Sequence, residues 1–197
     1  MQKRSHRLLA STLLKGANGF PARRYELAFL FGSFQPDCNP LTYLKGSLRE
    51  QRLRGHNFRN SEWYINDRIR RLQRRVRWSI WQYYTLGKLT HYLADAYTYP
   101  HNDNYPSSLM DHRRYENALR EYLAAYLNSY GPYPMENRPR EELVDVLRRL
   151  HSQYMEASAD MCRDARFILE ATWLLMDGCL PQTVSGCGLC VSGSGIL

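Results

Sequence analysis

No run in this 197-residue sequence approaches the roughly 18 consecutive apolar residues of a membrane-spanning helix, so an integral membrane span is excluded. A disulfide framework is also missing. The five cysteines, Cys38, Cys162, Cys179, Cys187 and Cys190, are odd in number and show no disulfide framework, which suits a reducing compartment. Cys187 and Cys190 lie in a Gly/Ser-rich end that lacks the flanking strand and helix of a redox site and the second pair of a zinc ribbon; a loose tail is expected. No stretch alternates as a strand, and there are no internal repeats. Acidic residues are in deficit, 19 against 27 Lys and Arg, for a formal net charge of +8. That balance favours anionic partners such as phosphates, nucleic acid or acidic lipid surfaces. The start, MQKRSHRLLASTLLKG, has a short apolar patch broken by Ser11 and Thr12 and no cleavage site before Lys15. It reads as an amphipathic first helix rather than a signal peptide, and a cytoplasmic location is expected.

Helical periodicity runs through the whole chain. Helices are expected over Gln2–Lys15, Ala22–Phe31, Ser61–Gln73, Ser79–Tyr97, Ser108–Asn128, Pro139–Glu156 and Asp160–Met176, each bounded by Gly, Pro or a capping residue. Pro139 followed by Glu141 and Glu142 reads as a helix start. The fold class is therefore all-α, with one domain over 1–177 and a Gly/Ser/Cys-rich tail over 178–197. The basic run RIRRLQRRVR (Arg68 to Arg77) reads first as a solvated helix face, and second as a contact for lipid phosphate or nucleic acid. Trp78, Trp81, Tyr84 and Tyr92 recur at helical steps and are expected in the core, while Tyr97, Tyr99 and Tyr105 could instead line a cleft.

The most informative window is His91-x3-Asp95-x5-His101-x10-His112-x3-Glu116, which holds three of the six histidines. Residues four apart on a helix share a face, so His91 with Asp95 and His112 with Glu116 form two half-sites for one cation each, with His101 between them. A cluster of imidazole and carboxylate donors without thiols suits zinc or a similar borderline cation. Upstream, Asp37 in GSFQPDCNP and His56 in RGHN sit in Gly- or Pro-punctuated stretches, where loops place functional side chains; His6 completes the set.

In this order the residues resemble the zinc-dependent phospholipase C family, whose relatives by fold are the S1/P1-type nucleases. The resemblance runs from His6 to Glu116 and is most specific in LGKLTHYLADAYTYPHN (Leu86 to Asn102). It implies a multi-helix bundle with two to three zinc ions held between helices. The first metal would take Asp37, His56, His91 and Asp95, and the second His101, His112 and Glu116. Asp95 would bridge to a third held by His6 and an N-terminal amine. The family uses an N-terminal tryptophan there; here Trp63 is the first tryptophan, and Gln2 favours retention of Met1, five residues before His6.

The resemblance further implies hydrolysis of a phosphodiester, with a phospholipid as the first substrate class, an anionic membrane surface as a peripheral contact, and Asp37 as general base. Asp103, Asp111 and Tyr115 are expected to orient the ligand histidines. Asp37 is followed by Cys38 and His56 is preceded by Leu53 three residues earlier, so the aromatic cradle for choline does not recur. The closing His-x3-Glu pair favours the phospholipase branch. The alternatives are an S1/P1-like nuclease on single-stranded nucleic acid, supported by the arginine run, and a non-catalytic metal-binding protein.

Overall fold

A computed structural model of the chain describes residues 1–38, 58–102, 109–130 and 142–181. Among these there are seven α-helices and no strand: α1 (Lys3–Gly16), α2 (Arg23–Phe34), α3 (Phe58–Gln73), α4 (Ile80–Ala96), α5 (Leu109–Tyr130), α6 (Leu143–Glu156) and α7 (Met161–Cys179). Short 3-10 turns follow α2 (Gln35–Cys38) and α4 (Tyr99–His101). The all-α expectation and all seven helices are therefore met. The sixth begins at Leu143 with Glu142 as its cap, and the expected start at Pro139 lies outside the described residues. The last helix runs on to Cys179, and Cys187 and Cys190 also lie outside the described residues. No described helix is long and apolar enough to cross a membrane.

α4 is the central helix. Ser79 caps it through a capping box with Gln82, and from Leu86 onward almost every residue is buried, polar ligand candidates included. α2 lies against it in parallel register, with the Tyr25 and Tyr83 rings 4.6 Å apart, Phe29 against Gly87, and the Ser33 carbonyl 2.9 Å from His91 Nδ1. Two glycines set this closeness. A Cβ on Gly32 would collide with the Tyr84 carbonyl oxygen, and one on Gly87 with the Phe29 carbonyl oxygen. Both obstacles are backbone, so no rotamer change relieves them.

The remaining helices wrap this pair with apolar faces at helical spacing. Leu9, Ala10 and Leu13 of α1 are fully buried, and the same stripe carries His6 inward. Leu119, Leu123 and Leu127 do the same for α5, leaving His112 and Glu116 on the turns before them. Trp78 and Tyr92 pack on the core as expected. Trp81 does not: it is 69 % exposed, because helical spacing says which residues share a face and not what covers it. The arginine run is a solvated face, with Arg70 paired to Glu142 and Arg71 to Asp67.

A second positioning device is Asp164 on α7, which is fully buried. Its Oδ2 accepts from the Tyr99 backbone N–H at 2.8 Å and from the Tyr115 hydroxyl at 2.9 Å; its Oδ1 accepts from the Tyr154 hydroxyl at 2.9 Å and from Arg163 at 3.0 Å. One carboxylate thus ties the turn carrying His101 to the helix carrying Glu116. Burial pushes this carboxyl up, against the pull of its donors. Tyr115, expected from sequence to orient a ligand histidine, donates its hydroxyl to Asp164 of α7. Asn102 completes the turn, its amide donating to the carbonyls of Ala96 and Thr98.

Two outcomes follow from these contacts. Gly87→Ala must push α2 from α4, and chemical denaturation should show a loss of about 1–3 kcal/mol or more, as overpacked cores do; parent-like stability would contradict the close approach. Asp164→Ala strands the nearly buried Arg163 and should cost about 3–5 kcal/mol in the same measurement; a loss within about 0.5 kcal/mol, as at an ordinary surface position, would remove Asp164 from this role.

Candidate metal centre

The candidate ligands come from five places in the chain and converge. His6 is brought by α1, Asp37 by the 3-10 turn that ends α2, His91 and Asp95 by α4, His101 by the turn after α4, and His112 with Glu116 by α5. His56 lies outside the described residues. Two groups have donor atoms all within 4.8 Å of one another: His6, His91 and Asp95, which are buried, and His101, His112 and Glu116, which are half-buried.

Asp95 sits at the meeting point. Its Oδ1 is 3.2 Å from His6 Nε2 and its Oδ2 is 3.3 Å from His91 Nε2. Asp37 faces the same two rings, with Oδ1 3.7 Å from His91 Nε2 and Oδ2 3.9 Å from His6 Nε2. The rings themselves stack, their centroids 3.8 Å apart. His91 is held by its other nitrogen on the Ser33 carbonyl, which leaves Nε2 directed at the two carboxylates. Sequence reasoning named acidic and tyrosine partners for this task; the partner here is a main-chain oxygen.

In the second group His101 Nε2 and His112 Nε2 each lie 3.2 Å from Glu116 Oε1. The Met1 amino group stands between the two groups. It donates to Asp95 Oδ1 at 2.6 Å and lies 2.9 Å from His101 Nε2 and 3.1 Å from Glu116 Oε1. Around it, Tyr97 is fully buried and donates its hydroxyl to the Leu147 carbonyl, so it belongs to the core and not to a cleft. Asp111 is exposed, and Asp103 and Tyr105 lie outside the described residues.

The electrostatics follow from burial working against clustered charge. Burial would raise the Asp95 carboxyl, but the Met1 amine and the rings of His101, His6 and His91 hold it well below the usual range. Glu116 is lowered in the same way, against burial, by His101, His112 and the amine. Burial pushes His6 down to about 3, with His91 adding to the effect. Asp37 lacks enough compensation, and burial lifts it to about 6.

The donor set fits zinc. Both ring nitrogens of His6 and Asp37 Oδ2 are buried without a hydrogen-bond partner among the described residues, although acceptors and donors lie nearby. Unsatisfied buried polar atoms are rare in proteins; His6 Nε2 and Asp37 Oδ2 face the same space beside Asp95, an arrangement that suits a cation. Imidazole and carboxylate donors in such a set suit zinc chemistry.

No curated protein and no solved structure matches the chain. Residues 5–161, four-fifths of its length and spanning every candidate ligand except the Met1 amine, match the family described as zinc-dependent phospholipase C, and the chain belongs to that family.

Proposed function

We propose that the protein is a zinc-dependent phosphoric diester hydrolase acting on phospholipid in the manner of a phospholipase C. The observation that carries this reading is the convergence of five separate chain segments on two adjoining donor groups, with His6 Nε2 and an oxygen of Asp37 unmatched beside Asp95. Asp37, His56, His91 and Asp95 would hold one zinc ion; His101, His112 and Glu116 a second; and His6, Asp95 and the Met1 amine a third. Zinc bound in such a set neutralises phosphate charge, lowers the pKa of a bound water towards ~7 and stabilises the leaving alkoxide.

The protein's own groups have distinct tasks. Ser33 fixes the His91 tautomer, and Asp164 holds His101 and Glu116 in register. Asp37 has its side chain 13 % exposed, at the rim of the buried group, and Oδ2 is its unmatched oxygen. It takes a proton from the attacking water at that atom, which lies at the edge of the buried donors. Water attacks phosphorus opposite the alkoxide, releasing diacylglycerol and a phosphorylated headgroup. The missing aromatic cradle leaves no reason to expect choline selectivity.

Purified protein assayed on phospholipid vesicles, single-stranded DNA and a generic phosphodiester should hydrolyse phospholipid fastest. Preference for DNA would favour the nuclease reading, and full zinc content without hydrolysis the non-catalytic one. Asp37→Asn keeps an oxygen for the metal but cannot take the proton, so its turnover should fall by roughly 10²–10⁴ with metal content little changed; parent-like turnover rejects Asp37 as base. His91→Ala and Asp95→Ala should lower both melting temperature and zinc content, since metal binding energy is also folding energy. His112→Ala should mainly lower zinc content, because its side chain is 29 % exposed where that of His91 is 0 %. Three variants with parent zinc and parent melting would show the ligands to be wrongly assigned.

A further inference from the structure

The metal centre does not use a second concentration of unusual residues, which lies on the exposed face of the α2–α4 pair and in the turn before α4. Leu27, Phe31, Ile80 and Trp81 are all more than two-fifths exposed, and Val76, in the turn before α4, is 94 % exposed. Four of them share one surface: the Phe31 ring stacks on Tyr84 at 6.0 Å, Trp81 meets the same ring edge-on at 6.2 Å, Leu27 is one turn before Phe31, and Ile80 is one turn before Tyr84. Val76 lies in the non-helical turn that leads into α4. Large contiguous apolar patches on a protein surface mark places where something docks.

Charge near the patch is predominantly basic: Glu26, beside Leu27, is paired with Arg23, and Asp67 lines a groove with Arg70, Arg71, Arg74 and Arg75. No Asp or Glu occurs between Asp67 and Asp95. Arg74, Arg75 and Arg77 are exposed beside Val76 and have no ion pair among the described residues, unlike Arg70 and Arg71 one turn earlier. Arginine with aromatic rings alone would suit nucleic acid as well as lipid. Leu27 and Ile80 favour lipid: aliphatic side chains lack the π-face on which single-stranded bases stack, but they enter hydrocarbon. Tryptophan at such a boundary has an apolar ring and a polar N–H, which suits the headgroup level.

We propose that this surface docks the protein on a bilayer rich in anionic phospholipid, with Val76, Ile80, Trp81, Phe31 and Leu27 entering the acyl boundary and Arg74, Arg75 and Arg77 at the phosphates. Trp81 is ten residues before His91 on one helix, about 15 Å along its axis. Anchor and ligands are therefore parts of the same rigid pair. The role of the anchor rests on the lipid-hydrolysing reading given above, but its binding does not, so the two can fail separately.

Full-length protein is sedimented with vesicles of phosphatidylcholine alone and of phosphatidylcholine with equal phosphatidylglycerol, with circular dichroism to confirm folding. The parent should bind the phosphatidylglycerol vesicles, and less at high salt. The triple change Arg74→Gln, Arg75→Gln and Arg77→Gln should weaken that binding on the order of a hundredfold. The double change Phe31→Ala and Trp81→Ala should weaken it at least roughly tenfold. Both should keep the parent's zinc content and its rate on a water-soluble phosphodiester. A parent that ignores phosphatidylglycerol, or variants that bind as the parent does, would overturn the proposal. So would a single-stranded oligonucleotide held by the parent when vesicles are not, or a dimer that Phe31→Ala with Trp81→Ala dissociates. An inactive parent that still binds vesicles through these residues would remove the hydrolase reading and leave the anchor standing.

Discussion

A fully buried carboxylate, Asp95, must be matched by nearby positive or hydrogen-bonding groups, because an unmatched charge in the interior is expensive. Here the matching groups come from far apart in the chain: the Met1 amine, His6 of α1, His91 one turn earlier on α4, and His101 of the following turn. The position of α1, the tight parallel contact of α2 with α4, and the turn after α4 all serve this one point. The Gly32 and Gly87 contacts bring the Ser33 carbonyl to His91, and the same helix end delivers Asp37.

Stability comes from elsewhere. The apolar cluster extends over α1 to α7, whereas the polar centre collects groups whose burial opposes their charged forms, His6 and Asp37 most clearly. Such a centre is high in energy until each donor has a partner, and a divalent cation supplies one for many donors at once. Asp164 works on the opposite principle: its donors are present in the chain itself, so it locks the His101 turn against α5 whatever the centre holds. The molecule thus has one polar network complete in itself and one that calls for a ligand.

The helices were legible because apolar residues recur at helical spacing and the ends are marked by Ser79, Asp160 and glycine. The candidate ligands were legible for a related reason, since His91 with Asp95 and His112 with Glu116 lie four apart on helices and the histidines are few. Asp37 and His6 are unremarkable alone; Asp37 stood out only by its Gly- and Pro-punctuated segment, and the family resemblance is what joined both to the set. Other features left no such trace. The Ser33 acceptor is a main-chain oxygen and carries no residue identity. Asp164 reads as an ordinary first-turn residue of a helix, and apart from adjacent Arg163 its partners are 10 to 65 residues away. Trp81 has the spacing of a core residue, but exposure depends on which neighbour covers it.

The central claim is that the convergent donors form a zinc centre. Anomalous diffraction from crystals of the purified protein, collected on both sides of the zinc absorption edge, tests it most directly. The account predicts edge-dependent peaks within ligand distance, about 2.0–2.2 Å, of the His91, Asp95 and Asp37 donors and of the His101, His112 and Glu116 donors. Density free of any such peak in crystals grown with zinc, with these side chains bonded to one another, would contradict it.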